Sequence, residues 1–256
     1  MKKLLIISTV LLLMAVTTSV AYAALKSDDF NDTSRDTSMW NLYEDNHSKA
    51  WLNETGGRLE FRSTADADNG ANYIANGWGL LPTNDFSLKI DFHHISTSGP
   101  LNSDSCVYLA LIGDGSNYLT LEAGCYENNE GTHPYFYHER GIAGLNGDDF
   151  EIDQEEKVRT IDDGTLYISY DVSEDKLYLS YAGYWATNEW ITIENFQDQW
   201  GSGIVIPYIS GWADGRELAS GDAYLDNFVV DSGTIVPEPA TIAIFAIGAI
   251  FFRKIR

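Results

Sequence analysis

The run Glu151-Ile152-Asp153-Gln154-Glu155-Glu156 puts four carboxyl groups within six residues. Alternate residues of a strand share one face, so Glu151, Asp153 and Glu155 would line up there. Two carboxyls about 5–5.5 Å apart are what a retaining glycoside hydrolase uses, one as nucleophile and one as acid/base. The chain is acid-rich, however, and Gln154 stands where an apolar residue would help bury such a strand. Asp148-Asp149 and Lys157 flank the run and mark a solvated strand or loop. The solvated reading is adopted: the protein is taken as a non-enzyme, with hydrolysis the alternative.

Aromatic rings suggest a second chemistry. Sugars stack their C–H faces on rings while polar groups fix the hydroxyls. Tyr184, Trp185 and Trp190 lie in AGYWATNEW beside Asn188 and Glu189. Trp212 lies in GWADGRE beside Asp214 and Arg216. These four rings are the candidate carbohydrate contacts, set against the opposite reading that each packs in or caps a core. Trp40 and Trp200 read as core or rim.

Two further sets concern stability. Asp29 and Asp226 would meet if the terminal strands pair, giving part of a structural calcium site; the competing reading is an Asx-turn at each. Cys106 and Cys125 bracket CVYLALIGDGSNYLTLEAGC. A four-residue loop, 114–117, pairs Gly113 with Tyr118 and sets the cysteines opposite each other. Tyr108, Ala110 and Ile112 then share the core face with Ala123, Leu121 and Leu119. This register predicts a cross-strand disulfide in an oxidising compartment, with two buried free thiols as the alternative. His93-His94 points its imidazoles to opposite faces, so both cannot ligate one ion.

The elements that would position these residues are strands. GGRLEFRS and FSLKIDFHHIS alternate apolar with polar residues, and THPYFYHER, TLYISYDV, KLYLSYAG, WITIENF, GIVIPYISGW and AYLDNFVV follow. Turn signals such as Asp163-Gly164 and Ser220-Gly221 separate them, and no long stripe of period 3.6 interrupts. The expected fold is all-β, an antiparallel sandwich or barrel. Aromatics make up 13% of the 256 residues, which argues against disorder. Setting aside Lys2, Lys3, Arg253, Lys254, Arg256 and Glu238 leaves 37 acidic against 11 basic residues. Such a surface repels nucleic acid and anionic lipid.

Both termini read as address signals. Met1-Lys2-Lys3, the apolar Leu4–Val16 and Ala21-Tyr22-Ala23 form a secretory signal over residues 1–23, with cleavage before Ala24. The body runs over 24–232, followed by a brief joint. At the other end Pro237 and Pro239 precede the apolar Ala240–Phe252, and Arg253, Lys254 and Arg256 close the chain. Thirteen residues of helix span about 20 Å, short of a roughly 30 Å hydrocarbon core, and the cations should stay cytoplasmic. The expectation is a short hydrophobic helix that holds an exported chain briefly in the inner membrane.

Two resemblances attach to these residues. Val236-Pro237-Glu238-Pro239, the apolar stretch and the terminal Arg253-Lys254-Ile255-Arg256 resemble the PEP-CTERM sorting signal of Gram-negative bacteria, placing that segment at 236–256. The resemblance implies cleavage near Pro-Glu-Pro by an exosortase-type membrane protease and a cell-envelope or biofilm matrix setting. The body, through SDDFNDTSRDTSMWNLYEDN, GGRLEFRS, GTLYISYDVSEDKLYLSY and GDAYLDNFVV, resembles bacterial concanavalin A-like lectin/glucanase jelly rolls. That likeness implies terminal strands lying side by side and extracellular polysaccharide as partner. Laminarinase-type hydrolases of this fold carry an E-x-D-x-E or E-x-D-x-x-E strand. By that likeness Glu151 would be nucleophile, Asp153 its helper, and Glu155 or Glu156 the acid/base.

Overall fold

In the computed structural model, residues 25–113, 117–143, 150–182, 191–200 and 203–237 are described. They form a sandwich of antiparallel strands. In chain order these are β1 (Ser27–Asp28), β2 (Trp40–Glu44), β3 (Ala50–Glu54), β4 (Leu59–Ser63), β5 (Asp68–Ala75) and β6 (Trp78–Leu80). There follow β7 (Phe86–His94), β8 (Asp104–Ile112), β9 (Tyr118–Asn128), β10 (Gly131–Ala143), β11 (Phe150–Val158) and β12 (Asp163–Asp171). The last are β13 (Lys176–Ala182), β14 (Ile191–Glu194), β15 (Ile206–Asp214), β16 (Ala223–Ser232) and β17 (Ile235–Pro237). A single helical turn, Phe196–Trp200, precedes β15.

One sheet has eight strands in the order β14-β13-β12-β7-β16-β4-β3, with β1 against β16. The other has seven, β11-β10-β9-β8-β15-β5-β2. β1 pairs Asp28 with Phe228, so the two ends of the body do lie side by side. β17 pairs with β6, which extends strand structure into the segment read as a joint and takes in Val236 and Pro237.

Alternation decides which residues lie between the sheets. In β7, Phe86, Leu88, Ile90, Phe92 and His94 are buried while the residues between them are half-exposed. A bulge at Asp226–Asn227, with Asn227 at φ 50°, lets both Leu225 and Phe228 face inward in β16. Phe92 of one sheet meets Phe136 of the other edge to face at 5.7 Å, and Trp40 meets Phe228 at 4.9 Å. Gly211 lies directly against the Phe61 ring of the other sheet: a Cβ there would lie 2.1 Å from it.

The cysteine hairpin differs from expectation by one residue. Ile112 pairs with Tyr118, and Gly113 N donates to Asn117 O at 2.8 Å, so the loop is one residue longer. Cys106 therefore sits opposite Gly124 and Cys125 opposite Ser105, on opposite faces of the sheet. No disulfide forms; both are buried free thiols. The slip also exchanges the faces of β8, while β9 keeps its own. Val107, Leu109 and Leu111 pack inward with Leu119, Leu121 and Ala123, and Tyr108, Ala110 and Ile112 turn outward.

Candidate functional site

The exchange of faces fixes what the seven-stranded sheet presents on its outer side. Ser105 Oγ is 3.0 Å from Nε2 of the interior His94, and Gly211 and Phe136 also look inward. Even-numbered positions of β8, β9 and β15 and odd-numbered positions of β10 therefore face outward. Strand register arranges them in rows. One row runs Tyr43, Asn72, Ser210, Tyr108, Glu122, Tyr137 and Glu156 across seven strands. The next row carries Ile74, Tyr208, Ala110, Thr120 and Glu139. On the other side lie Gly70, Trp212, Cys106, Gly124 and Tyr135, then Asp68, Asp214, Asp104, Tyr126 and His133.

Rings and carboxyls dominate this face. Tyr108 and Tyr208 meet edge to face at 5.8 Å, and Tyr126 stacks on His133 at 4.9 Å. Glu139 accepts hydrogen bonds from the hydroxyls of Tyr118 and Tyr137, the latter at 2.7 Å. The Tyr135 hydroxyl donates to Asp104 at 3.0 Å. Burial first, then the neighbouring Cys106 and the Asp104 carboxyl, push Tyr135 well above the usual phenol range. Gly124 leaves the space that this ring fills: a Cβ at Gly124 would sit 2.4 Å from it. Burial and the adjacent Asp68 raise Asp214. Glu122 and Glu139 are 2% and 5% exposed. Thr120, between Ala110 and Glu139, is 3% exposed and its hydroxyl has no hydrogen-bond partner.

The sequence-derived candidates fall unevenly on this geometry. Trp212 lies on the outer face, half-buried, one row from Tyr108. Its neighbour Arg216 is buried instead; it donates to the carbonyl oxygens of Thr97 and Cys125. Tyr184, Trp185 and Trp190 lie outside the described residues. The acidic run does form a strand, β11, at the edge of the seven-stranded sheet. Register puts positions 151, 153 and 155 opposite Ile142, Arg140 and His138, on the inward side, and only Glu156 opposite the outward Tyr137. The side chains at 151–155 themselves lie outside the described residues. Glu122, Glu139, Thr120, Tyr108 and Tyr208 escaped the sequence reading. The signal was the alternation in LTLEAGC, where Thr120 and Glu122 interrupt Leu119, Leu121 and Ala123.

Asp29 directly follows β1, which pairs with β16, the strand that carries Asp226. Burial first, then Asp91 and Asp29, raise Asp226. One oxygen of Asp29 accepts the Asn31 amide at 3.3 Å, and one of Asp226 accepts the Asn227 amide at 2.7 Å. Among the described residues no three His, Cys, Asp or Glu side chains converge to hold an ion. Two carboxyls alone fall short of the several oxygens that calcium requires.

Sheet order and paired terminal strands define a concanavalin A-like jelly-roll sandwich. Two solved structures share it. One is SCLam, a non-specific endo-β-1,3(4)-glucanase of family GH16, at 10% identity and TM-score 0.51, covering 85% of this chain and 92% of that one. The other is the lectin UEA-II in complex with galactose, also at 10% identity and TM-score 0.51, covering 82% and 98%. No family model matches the sequence, and no curated protein matches it significantly. At such identity the likeness establishes the fold alone.

Proposed function

We propose that this is an exported, non-enzymatic envelope or matrix protein that binds polysaccharide on the outer face of its seven-stranded sheet. The observation that carries the reading is the row of rings and polar groups on that face, with Trp212, Tyr126 and Tyr137 partly open to solvent. Rings offer stacking surface to sugars, and the exposed carboxyls of Asp68 and Asp214 offer partners to hydroxyls. A glycan array with the unaltered chain, Trp212→Ala and Tyr126→Ala tests it. Loss of about tenfold in affinity in either variant is expected; binding indifferent to both changes would move the site elsewhere.

Export and sorting belong to the same proposal. The signal at 1–23, with Ala21, Ala23 and Ala24 at its cleavage point, and the segment from Glu238 onward lie outside the described residues. Among the described residues no helix is long and apolar enough to cross a membrane. Cleavage by an exosortase-type protease near Pro237–Pro239 would fall at the end of β17 and leave the sandwich whole. Fractionation of cells carrying Pro237→Ala/Pro239→Ala tests this: uncut chain held in the inner membrane is expected, and unchanged processing discards the motif. Main-chain oxygens would have to complete a structural calcium at Asp29 and Asp226; a melting temperature unmoved by EDTA discards it.

Hydrolysis is the second reading, favoured by one observation. Glu122 and Glu139 stand on adjacent strands, one row apart on the same face. Such diagonal neighbours are separated by about 7–8 Å, within the range of an inverting carboxyl pair. Release of reducing ends from a β-glucan that disappears in Glu139→Gln would favour it over binding alone. The Glu151, Asp153 and Glu155 assignment competes with it, and Glu151→Gln is the matching variant.

A further inference from the structure

The tripeptide Asn-x-Ser/Thr, with x any residue but Pro, occurs three times in the chain, and all three copies fall between residues 31 and 55. They are Asn31-Asp32-Thr33, Asn46-His47-Ser48 and Asn53-Glu54-Thr55. In an exported protein this tripeptide is an acceptor for N-linked glycan where it lies at the surface. The fold treats the three copies differently. The first lies in the connection between β1 and β2, where Asn31, Asp32, Thr33 and Ser34 are all exposed. The second forms the turn between β2 and β3. There the Asn46 carboxamide oxygen accepts from the Ser48 amide at 3.2 Å and from the Ser48 hydroxyl at 2.7 Å, and Nδ2 has no acceptor among the described residues. The amide and the hydroxyl that the motif requires are thus already in contact, with the nitrogen left over. The third lies within β3. Asn53 is exposed, but it is paired opposite Glu60, and Leu52 and Glu54 on either side are each 5% exposed. Drawing it into an enzyme cleft would pull both side chains out of the interior. A carboxylate stands two residues before each loop asparagine, Asp29 and Glu44, whereas Trp51 takes that place before Asn53.

We infer that Asn46 and Asn31 carry N-linked glycan and that Asn53 does not. The inference rests on the export reading, since acceptors of this kind are used in secreted chains. The co-reactant is an oligosaccharide joined through pyrophosphate to a polyprenyl lipid, presented by an oligosaccharyltransferase. The carboxamide nitrogen attacks the anomeric carbon, an N–C bond forms, and the C–O bond to pyrophosphate breaks. The amide gives one proton to a base of the transferase, the lipid pyrophosphate leaves, and nothing is oxidised or reduced. Neither loop asparagine belongs to the register rows of the proposed glycan-binding face, so the attached sugar and a bound one do not compete for residues. Both attachments add hydrated bulk to loops and leave the interior as it is.

The test is peptide mass spectrometry of the full chain purified from the envelope and the medium of the cells that make it, with Ser48→Ala, Ser48→Thr and Thr33→Ala beside the unaltered protein. An oligosaccharide mass is expected on Asn46 and Asn31 and none on Asn53. Ser48→Ala should abolish it at Asn46 alone and Thr33→Ala at Asn31 alone, while Ser48→Thr, which keeps the hydroxyl, should retain both. Exported chain with Asn46 and Asn31 bare overturns the inference while export stands. A mass on Asn53 equal to that on the loops overturns the selection by structure. A mass that persists on Asn46 in Ser48→Ala overturns the assignment of the acceptor motif. Chain found bare and in the cytosol alone removes the export reading and the inference together.

Discussion

The two outer faces of this sandwich are built from similar residue types and treat charge in opposite ways. On the eight-stranded sheet charges answer each other. Lys89 pairs with Asp231 at 3.3 Å, His93 with Asp163 at 2.7 Å, and Asp91 accepts from Thr165 at 2.6 Å and from Asn227 at 2.9 Å. Glu60 lies between Arg58 at 2.8 Å and Arg62 at 2.6 Å, and the Arg58 guanidinium covers the Tyr224 ring at 4.2 Å. On the seven-stranded sheet Glu139 and Asp104 accept from tyrosine hydroxyls, and the outward register positions of the described strands hold no Lys or Arg. A face that neutralises itself is stable in water and asks for no ligand. The other face gathers rings and carboxyls of one sign, the combination on which the proposed glycan site rests.

The comparison depends first on the assignment of inward and outward positions, and the variant that would break it has the largest expected effect. If odd-numbered positions of β15 look inward, Gly211→Val drives a side chain into the Phe61 ring. Overpacking at such a contact should cost about 3 kcal/mol in chemical denaturation, or prevent folding. A stable Gly211→Val protein would mean that the faces are exchanged.

Glu60→Gln, set against Glu139→Gln, sharpens the contrast at the next level. Burial would raise Glu60, yet Arg58, Arg62 and Ser220 hold its carboxyl below the usual range. Removing its charge leaves two guanidinium groups facing each other. Because both arginines are partly exposed, the expected cost is about 1–2 kcal/mol, with sugar binding untouched. Glu139→Gln should do the reverse, losing binding for little stability. If both variants behave alike, the two faces are not specialised.

How much of this was legible in the sequence follows from the same geometry. β7 and β12 alternate between core and solvent, so their pattern announced them. β8 and β9 are buried on both faces, as the unbroken burial from Ser105 to Ile112 shows, and period-2 reasoning loses its phase there. One extra loop residue then sufficed to place Tyr108 in an apparent core and to suggest a disulfide. The acidic run was visible as chemistry, but its place on an edge strand depended on pairing with β10, which only tertiary structure supplies. Trp212 was legible as a ring; its face required the register of β15.

Any pH dependence of binding has to be separated from that of the interior, where two buried groups oppose each other. Burial first, and the Asp32 carboxyl second, push Glu54 from an ordinary 4.5 up to about 7. Between these values the folded state holds more protons than the unfolded one, so stability falls as pH rises through that window. His94 is fully buried; desolvation, then Arg159 and Arg216, hold it well below 6.5. The unfolded chain takes up its proton first, so stability falls as pH drops below about 6.5. Glu54→Gln should flatten the loss on the alkaline side and His94→Asn that on the acid side, in thermal melts across pH. If neither slope changes, the two groups are not the interior's titrating pair. A binding profile that tracks these melts reports stability, whereas one that differs reports the outer face.

The smallest effect is the most discriminating test of the idea that the eight-stranded face is a solvated surface. Lys89 and Asp231 are 34% and 42% exposed at the side chain. Water screens such a pair, and holding two long side chains together costs entropy that offsets the attraction. Lys89→Ala should therefore change stability by about 0.5 kcal/mol or less, and less still in high salt. Lys89 also lies 6.0 Å from the centre of the Tyr167 ring, a contact too distant and too wet to add much. A loss well above 1 kcal/mol would show that this face is not bathed in water but packed against something, since only desolvation gives an ion pair that weight. The contrast between the faces would then become one between two interfaces.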